Sequence, residues 1–170
     1  LKAASSDGTT YYSLAAGTGS TATANITPLT QLVVAQLTGQ EPAAFYAGAA
    51  GNAASLANAV TAVKIDAAST AVVQTLQAAG VDTSAITSIV SGSLAAGTGT
   101  GYDGVLDTLG TTLASTGSTL GELVTAVAAT AAAAGPDAPA THSGGDNVTA
   151  SLLPAALLLK AKAGHCAALR

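Results

Sequence analysis

A chain of 170 residues is long enough for one domain with a hydrophobic core, and 49% of its residues are apolar. Many of these are alanines, which bury little area, and aromatic residues make up only 3%, so we expect a thin core of Leu, Val and Ile. Charged residues are 8% of the chain and the formal net charge is −4. Nucleic acid is an unsuitable ligand, because phosphate binding needs clustered Lys and Arg and the only basic cluster here is Lys160, Lys162 and Arg170.

The sequence of residues 1–24 predicts a short extended arm or a linker. The segment Thr9–Tyr12 favours a strand, whereas Gly17 and Gly19 interrupt it. An ordered arm and a disordered linker are both compatible with this pattern. The helical part is expected to begin at residue 25.

The most sharply delimited segment is Asn25–Gly39, and we expect the rest of the chain to be organised around it. Thr27 is placed to cap a helix and Pro28 takes the first helical position. Gly39 stands where a left-handed C-terminal residue is needed. Between them, one apolar stripe recurs at helical spacing: Leu29, Leu32, Val33 and Leu37.

Two helical regions are predicted next. A short helix begins at Pro42, with Phe45 and Tyr46 as plugs of the core. Asn52 can cap the following helix, which is predicted to end at Gly80. Its apolar face first holds Leu56, Val60 and Val63 and then shifts to Ile65, Val72, Val73 and Leu76. Asp66 lies at the shift and could cap a new helix, so one bent helix and two helices both fit the pattern.

After a turn at Val81–Thr83, apolar residues with helical period predict a further helix to about Ala96: Ile86, Ile89, Val90 and Leu94. The glycine-rich loop 97–101 follows. It is not a phosphate-binding loop by sequence, because neither a GxGxxG frame after a strand nor a following Lys-Ser/Thr is present.

The clearest amphipathic helix carries Tyr102, Val105, Leu106, Leu109 and Leu113. Ser118 or Thr119 then caps another helix, with Glu122 as the partner of a capping box. Its apolar stripe is Leu120, Leu123, Val124 and Val127, and it should stop at Gly135–Pro136.

The pattern as a whole predicts an all-α fold: an irregular bundle of five to seven short Ala-rich helices in residues 25–135, preceded by the extended arm. Residues 136–147 (PDAPATHSGGDN) predict a linker. Residues 148–170 predict a last helix, with Leu152, Leu153, Leu157 and Leu158 packing on the bundle, and a tail. The longest apolar stretches, Leu123–Ala134 and Ala150–Leu159, are shorter than the roughly 20 residues that a membrane-spanning helix needs, so no membrane span is expected.

Residue types that carry catalysis are sparse. His142 lies in the linker and His165 in the tail, where neither is held in a fixed geometry. Glu41 and Glu122 both stand at predicted helix starts. We therefore expect no catalytic residue, no cofactor and no enzyme activity.

Metal binding and covalent modification have weak candidates. Asp103 and Asp107 are four residues apart on one helix and could ligate a metal, but no third ligand lies near in sequence, so a solvated face is favoured and no metal is expected. Cys166 is the single cysteine, which excludes a disulfide within the chain. Asn25 and Asn147 begin formal glycosylation sequons, although Asn25 is better explained by the approach to the first helix.

The segment TANITPLTQLVVAQLTGQEPAAFYA (residues 23–47) resembles a segment of exported or lipid-anchored proteobacterial surface proteins, in which a TANVTPLT-like motif joins an extended module to a helical region. The segment Asp103–Val124 resembles the helical hairpin that follows it there. The resemblance implies an extracellular or cell-envelope setting, flanking domains in a longer chain and no known catalytic residue.

These observations favour a non-catalytic helical spacer or interaction module of an exported bacterial surface protein, with a protein or cell-envelope partner. The alternative is a helical domain that binds a small apolar ligand, because a core poor in aromatic residues can leave a cavity.

Overall fold

The computed structural model describes residues 1–16, 23–49, 51, 52, 56, 59–94 and 99–134. Within these residues the chain is mainly helical, as predicted, with five α-helices and one small antiparallel sheet. The elements are β1 (Lys2–Ala4), β2 (Thr10–Tyr12), α1 (Pro28–Thr38), α2 (Pro42–Ala49), α3 (Ala62–Ala78), α4 (Gly101–Thr116) and α5 (Leu120–Ala134).

Helix α1 lies at the centre of this fold, and none of its residues is exposed. It packs most extensively against α5 and α3, and it also contacts β2 and α2. Its buried residues are Leu29, Thr30, Leu32, Val33, Val34 and Ala35. The predicted stripe included only part of this set, because a helix enclosed by neighbours buries more than one face.

Both ends of α1 are stabilised locally, as predicted. Thr27 Oγ1 accepts a hydrogen bond from the Thr30 N–H (3.3 Å), and Thr30 Oγ1 accepts one from the Thr27 N–H (2.9 Å), which makes a reciprocal capping box. At the other end Gly39 is left-handed (φ 62°) and its N–H donates to the Ala35 carbonyl at 2.9 Å. A Cβ at Gly39 would lie 3.0 Å from the backbone of Ala132, so α5 passes directly against this end.

The N-terminal segment forms a hairpin on the helical part. β1 and β2 pair antiparallel with Lys2 opposite Tyr12, Ala3 opposite Tyr11 and Ala4 opposite Thr10. Tyr12 packs against the core and Leu14 is buried within it. The predicted strand is confirmed over Thr10–Tyr12, whereas β1 was not foreseen.

The predicted helix from Ile86 to about Ala96 is wrong within the described residues, because Val81–Leu94 form turns and irregular structure. Ile89 and Val90 are nevertheless buried, as their apolar side chains indicate. The apolar residues of this segment recur at helical spacing, and for this reason the sequence predicted a helix. The carbonyls of Ile89 and Val90 accept hydrogen bonds from Asn25 instead of from residues of a helical turn.

Helix α3 begins earlier than Asp66. Thr61 Oγ1 accepts a hydrogen bond from the Lys64 N–H at 3.3 Å and caps the helix, so the interpretation of Asp66 as a cap is wrong. Val63 is 78% exposed and is not part of the core stripe. The preceding helix predicted from Asn52 falls mostly on residues outside the described part of the chain.

The end of α3 agrees with the prediction. Gly80 is left-handed (φ 83°) and its N–H donates to the Gln77 carbonyl, while the Val81 N–H donates to the Leu76 carbonyl. This is a Schellman motif, in which Val81 and Leu76 are both buried and supply its hydrophobic contact.

The predictions for α4 and α5 are also confirmed. α4 buries Tyr102, Val105, Leu109 and Leu113, and α5 buries Leu123, Val124, Val127 and Ala128. Thr119 caps α5, since its Oγ1 accepts from the Glu122 N–H (3.2 Å) and its N–H donates to Glu122 Oε2 (2.8 Å). None of the described helices is long and apolar enough to cross a bilayer. The predicted linker 136–147 and the last helix and tail at 148–170 lie outside the described residues.

Candidate functional site

A buried polar network surrounds the N-terminus of α1. The hydroxyl of Tyr102 donates to the carbonyl of Ile89 at 3.2 Å, and its oxygen lies 2.9 Å from Thr27 Oγ1. Because the single phenolic proton is used on Ile89, the proton between the two hydroxyls comes from Thr27. Thr27 Oγ1 still accepts from the Thr30 N–H, so each group has its partners.

Asn25 extends this network to the irregular segment that replaces the predicted helix. Its side-chain amide donates to the carbonyls of Ile89 (3.3 Å) and Gly92 (2.8 Å), and its backbone N–H donates to the carbonyl of Val90 (2.6 Å). Asn25 is 6% exposed, so its amide is not accessible to a glycosylating enzyme in the folded chain. Its structural role is to hold the 89–92 segment against the start of α1.

The network joins the hairpin as well, because Thr30 Oγ1 donates to the carbonyl of Tyr12 at 2.8 Å. Burial raises the pKa of Tyr102 to about 12, while its hydrogen bond with Thr27 opposes that rise. The phenol therefore stays neutral at physiological pH. The network consists of hydroxyls, an amide and carbonyls, and it links the start of α1 to α4, to the hairpin and to the 89–92 segment.

One buried hydroxyl is left over beside the hairpin. Ser13 is 2% exposed, and its Oγ has no hydrogen-bond partner in the described part of the chain. Its backbone is paired, since its N–H and carbonyl both bond to Leu1. An unpaired buried hydroxyl costs about 1–3 kcal/mol.

The exposed candidate is an aromatic patch that we call the tyrosine surface, formed by Tyr12, Tyr46 and Lys2. The rings of Tyr12 on β2 and Tyr46 on α2 have centroids 5.5 Å apart and planes tilted by 52°. Lys2 is exposed and pairs with Tyr12 across the hairpin, so the two side chains share one face of the sheet.

Tyr46 is 45% exposed, so its interpretation as a core plug is wrong. Its neighbour Phe45 is half-buried against the core, in agreement with the prediction for that residue. Adjacent helical residues project about 100° apart, and α2 buries only Pro42 fully, so Phe45 turns towards the core while Tyr46 points away from it.

The two predicted carboxylate candidates lie on α4. Asp107 is exposed and Asp103 is half-exposed. Among the residues that the structure describes, no group of three or more His, Cys, Asp or Glu side chains could hold a metal ion. The two carboxylates lie on one flank of α4, four residues apart.

The two glutamates stand at helix starts, as predicted. Glu122 completes the capping box of α5. The carbonyl of Glu41 accepts from the Phe45 N–H at 3.0 Å, at the start of α2. The carboxylate of Glu41 also accepts a hydrogen bond from Thr125 Oγ1, which fastens the start of α2 to α5.

The remaining sequence candidates lie outside the described residues: His142, Asn147, Lys160, Lys162, His165, Cys166 and Arg170. The tyrosine surface was missed by sequence reasoning, although the segment Thr9–Tyr12 carried a signal. Period-2 alternation in a strand places Tyr12 and Tyr11 on opposite faces, so the two rings cannot share one environment.

Comparison with protein-family models, with curated proteins and with solved structures finds no match for this chain.

Proposed function

We propose that this chain is a non-catalytic spacer and interaction module of an exported bacterial surface protein, and that the tyrosine surface contacts a protein or cell-envelope partner. The observation that carries the proposal is the Tyr12–Tyr46 pair, with ring centroids 5.5 Å apart and with Tyr46 45% exposed. Tyrosine is enriched at protein interfaces because it presents a large apolar ring and a polar hydroxyl together.

Preorganisation supports the same proposal. The backbone of Tyr12 is fixed by the hydrogen bond from Thr30 on α1, and α2 is fastened to α5 through Glu41 and Thr125. Both rings of the pair are therefore attached to elements that the central helix and its neighbours hold in place. Binding then costs less side-chain and backbone ordering than it would on a mobile loop.

The exported setting is supported by composition and by the resemblance in residues 23–47. Charged residues are only 8% of the chain, and exposed threonines take the place of charges on the helices. The hydroxyls of Thr70, Thr108 and Thr111 each donate to the carbonyl four residues earlier in their own helix. Such a surface is polar with few charged groups, and it suits a spacer between flanking domains of a longer chain.

Site-specific photo-crosslinking in the bacterium that produces the protein tests the partner. A benzophenone side chain at position 46 should crosslink one envelope protein, and Tyr12→Ala should lower the yield by about tenfold, as expected for an interface anchor worth about 1.4 kcal/mol. The same probe at position 108, which is exposed on α4, is the matched control. Equal crosslinking from both positions, or none from position 46, contradicts the proposal.

Cell fractionation tests the setting. The full-length protein should be found in the envelope or the medium, whereas recovery from the cytoplasm contradicts export. The small apolar-ligand alternative stays a prediction from composition, and native mass spectrometry of the purified chain tests it through the mass of any retained ligand.

A further inference from the structure

One side of helix α4 is largely exposed among the residues that the structure describes, and we call it the α4 outer face. Helical spacing brings together Asp103, Leu106, Asp107, Gly110 and Ala114. Asp107, Gly110 and Ala114 are exposed, while Leu106 is half-buried at the margin of the core. The face therefore combines an apolar margin, small residues and two carboxylates.

Gly110 leaves a gap in this face, because it has no side chain. A Cβ at Gly110 would have no heavy atom within 4 Å, and glycine inside a helix costs about 1 kcal/mol relative to alanine. Gly104 on the same helix differs, because a Cβ there would lie 2.8 Å from the Gly99 carbonyl oxygen. The described fold thus accounts for Gly104, whereas Gly110 suits a segment that approaches the helix closely.

Charge identifies a segment of suitable chemistry in the chain itself. The described residues carry two lysines and seven acidic residues, a charge of −5. Residues 148–170 carry Lys160, Lys162 and Arg170 with no acidic residue, a charge of +3. The same stretch contains LLPAALLL directly before the lysines, so apolar and basic residues follow one another there.

We propose that residues 148–170 dock on the α4 outer face, with leucines over Leu106 and Gly110 and the basic residues facing Asp103 and Asp107. The proposal is independent of the tyrosine surface. It requires the 13 residues 135–147 to reach from the end of α5 to α4. To reach α4, the linker has to run back along α5 to the place where α4 ends and α5 begins, and α5 is about 22 Å long. An extended chain of 13 residues spans about 43 Å, which is more than this distance. Tethering also raises the effective concentration of the segment to the millimolar range.

Cys166 provides the experiment, because it is the only cysteine of the chain and lies in the docking segment. A nitroxide spin label on Cys166 of the full ¹⁵N-labelled chain should cause a loss of amide signal intensity concentrated on residues 103–114. The loss should disappear when Lys160 and Lys162 are both replaced by Gln. Intensity loss that is uniform, or centred on another element, overturns the proposal.

Variants of the face separate docking from unfolding. Asp103→Asn with Asp107→Asn, and separately Gly110→Leu, should restore the signals while the circular dichroism spectrum stays helical. The matched controls are Asp66→Asn with Asp82→Asn and Thr108→Leu, at exposed positions away from this face, and these should leave the intensity loss unchanged. Equal effects of test and control variants overturn the proposal.

A mixing experiment tests whether a second copy is the occupant. Protein without ¹⁵N that carries the spin label on Cys166 is added to ¹⁵N-labelled Cys166→Ser protein. Unchanged signals of residues 103–114 support docking within one chain. Intensity loss in the mixture shows that the tail reaches another molecule, and this result overturns the proposal of intramolecular docking.

Discussion

At the scale of single residues, Tyr102 shows how this chain uses its few aromatic side chains. The residue is 3% exposed, and its hydroxyl lies in a buried network with Thr27 and the carbonyl of Ile89. Burial favours the neutral phenol, which raises its pKa to about 12. The helix cap of α1, the start of α4 and the 89–92 segment are thereby joined at one oxygen atom.

Tyr102→Phe is expected to change both stability and its dependence on pH. At pH 7 the variant loses the two hydrogen bonds, at a cost of about 1 kcal/mol. The unfolded phenol ionises near pH 10 and the folded one near pH 12, so wild-type stability is fully present below pH 10 and falls as pH rises to 12. The wild type loses about 3 kcal/mol of its free energy of unfolding over this range. The variant has no phenol at position 102, so its stability does not show this fall.

Urea unfolding of both proteins at several pH values from 7 to 12 measures this difference. The advantage of the wild type should shrink above pH 10 and reverse before pH 12. Parallel stability curves over this range would show that the phenol is not buried in its neutral form.

Removal of the Ser13 hydroxyl should stabilise the fold, whereas removal of the Tyr102 hydroxyl should destabilise it at pH 7. Its buried hydroxyl has no partner in the described part of the chain, so Ser13→Ala removes a desolvated polar group and should stabilise the fold by about 1 kcal/mol. Ser115→Ala is the control, since Ser115 is exposed and its hydroxyl donates to the Thr112 carbonyl. A rise in the urea midpoint for Ser13→Ala alone is expected, and a fall would mean that Ser13 Oγ has a partner in solution.

At the scale of elements, helix ends were predictable because their signals are local. Thr27 and Gly39 stabilise α1 through atoms no more than four residues away. The 81–94 segment was not predictable in this way, since its carbonyls bond to Asn25, which lies 64 residues from Ile89. Apolar residues at helical spacing indicate burial, and an irregular segment fixed from outside can bury the same residues.

The candidate site was less accessible to sequence reasoning than the helices. The stretch PAAFYAGA has no single apolar stripe, so the direction of Tyr46 depends on which neighbours cover α2. Its pairing with Tyr12 joins residues from two elements that are distant in the chain. The acidic pair of α4 was predictable because helical spacing alone places Asp103 and Asp107 on one flank.

Alanine substitutions at Gly39 and Gly110 should change stability in opposite directions. Gly39→Ala forces a left-handed residue to carry a Cβ that lies 3.0 Å from the backbone of Ala132, so it should destabilise by about 2 kcal/mol. Gly110→Ala in α4 meets no neighbour within 4 Å and should stabilise by about 0.5–1 kcal/mol. Urea unfolding measures both. Stabilisation by Gly39→Ala would contradict the left-handed backbone and the close approach of Ala132, and destabilisation by Gly110→Ala would contradict the open space at Gly110.

At the scale of the whole molecule, one enclosed helix compensates for a core that is poor in large side chains. α1 contacts α5, α3, α2 and β2, and its cap bonds to Tyr102 on α4. The apolar residues of these elements form one continuous core cluster. β1 is joined to α1 through β2, and α4 through the bond between Tyr102 and the α1 cap, so the fold should unfold as one cooperative unit.

Leu29 tests that cooperativity, since it is 0% exposed in the first turn of α1. Leu29→Ala should cost about 3 kcal/mol, through lost burial and the cavity left behind. Because small domains have only about 5–15 kcal/mol in total, the urea midpoint should fall strongly for tyrosine fluorescence and for helical circular dichroism together. Val63→Ala, at a side chain that is 78% exposed, should change stability by no more than about 0.5 kcal/mol. If the two probes separate in Leu29→Ala, unfolding is not one cooperative transition, and α1 is then not the common support of the fold.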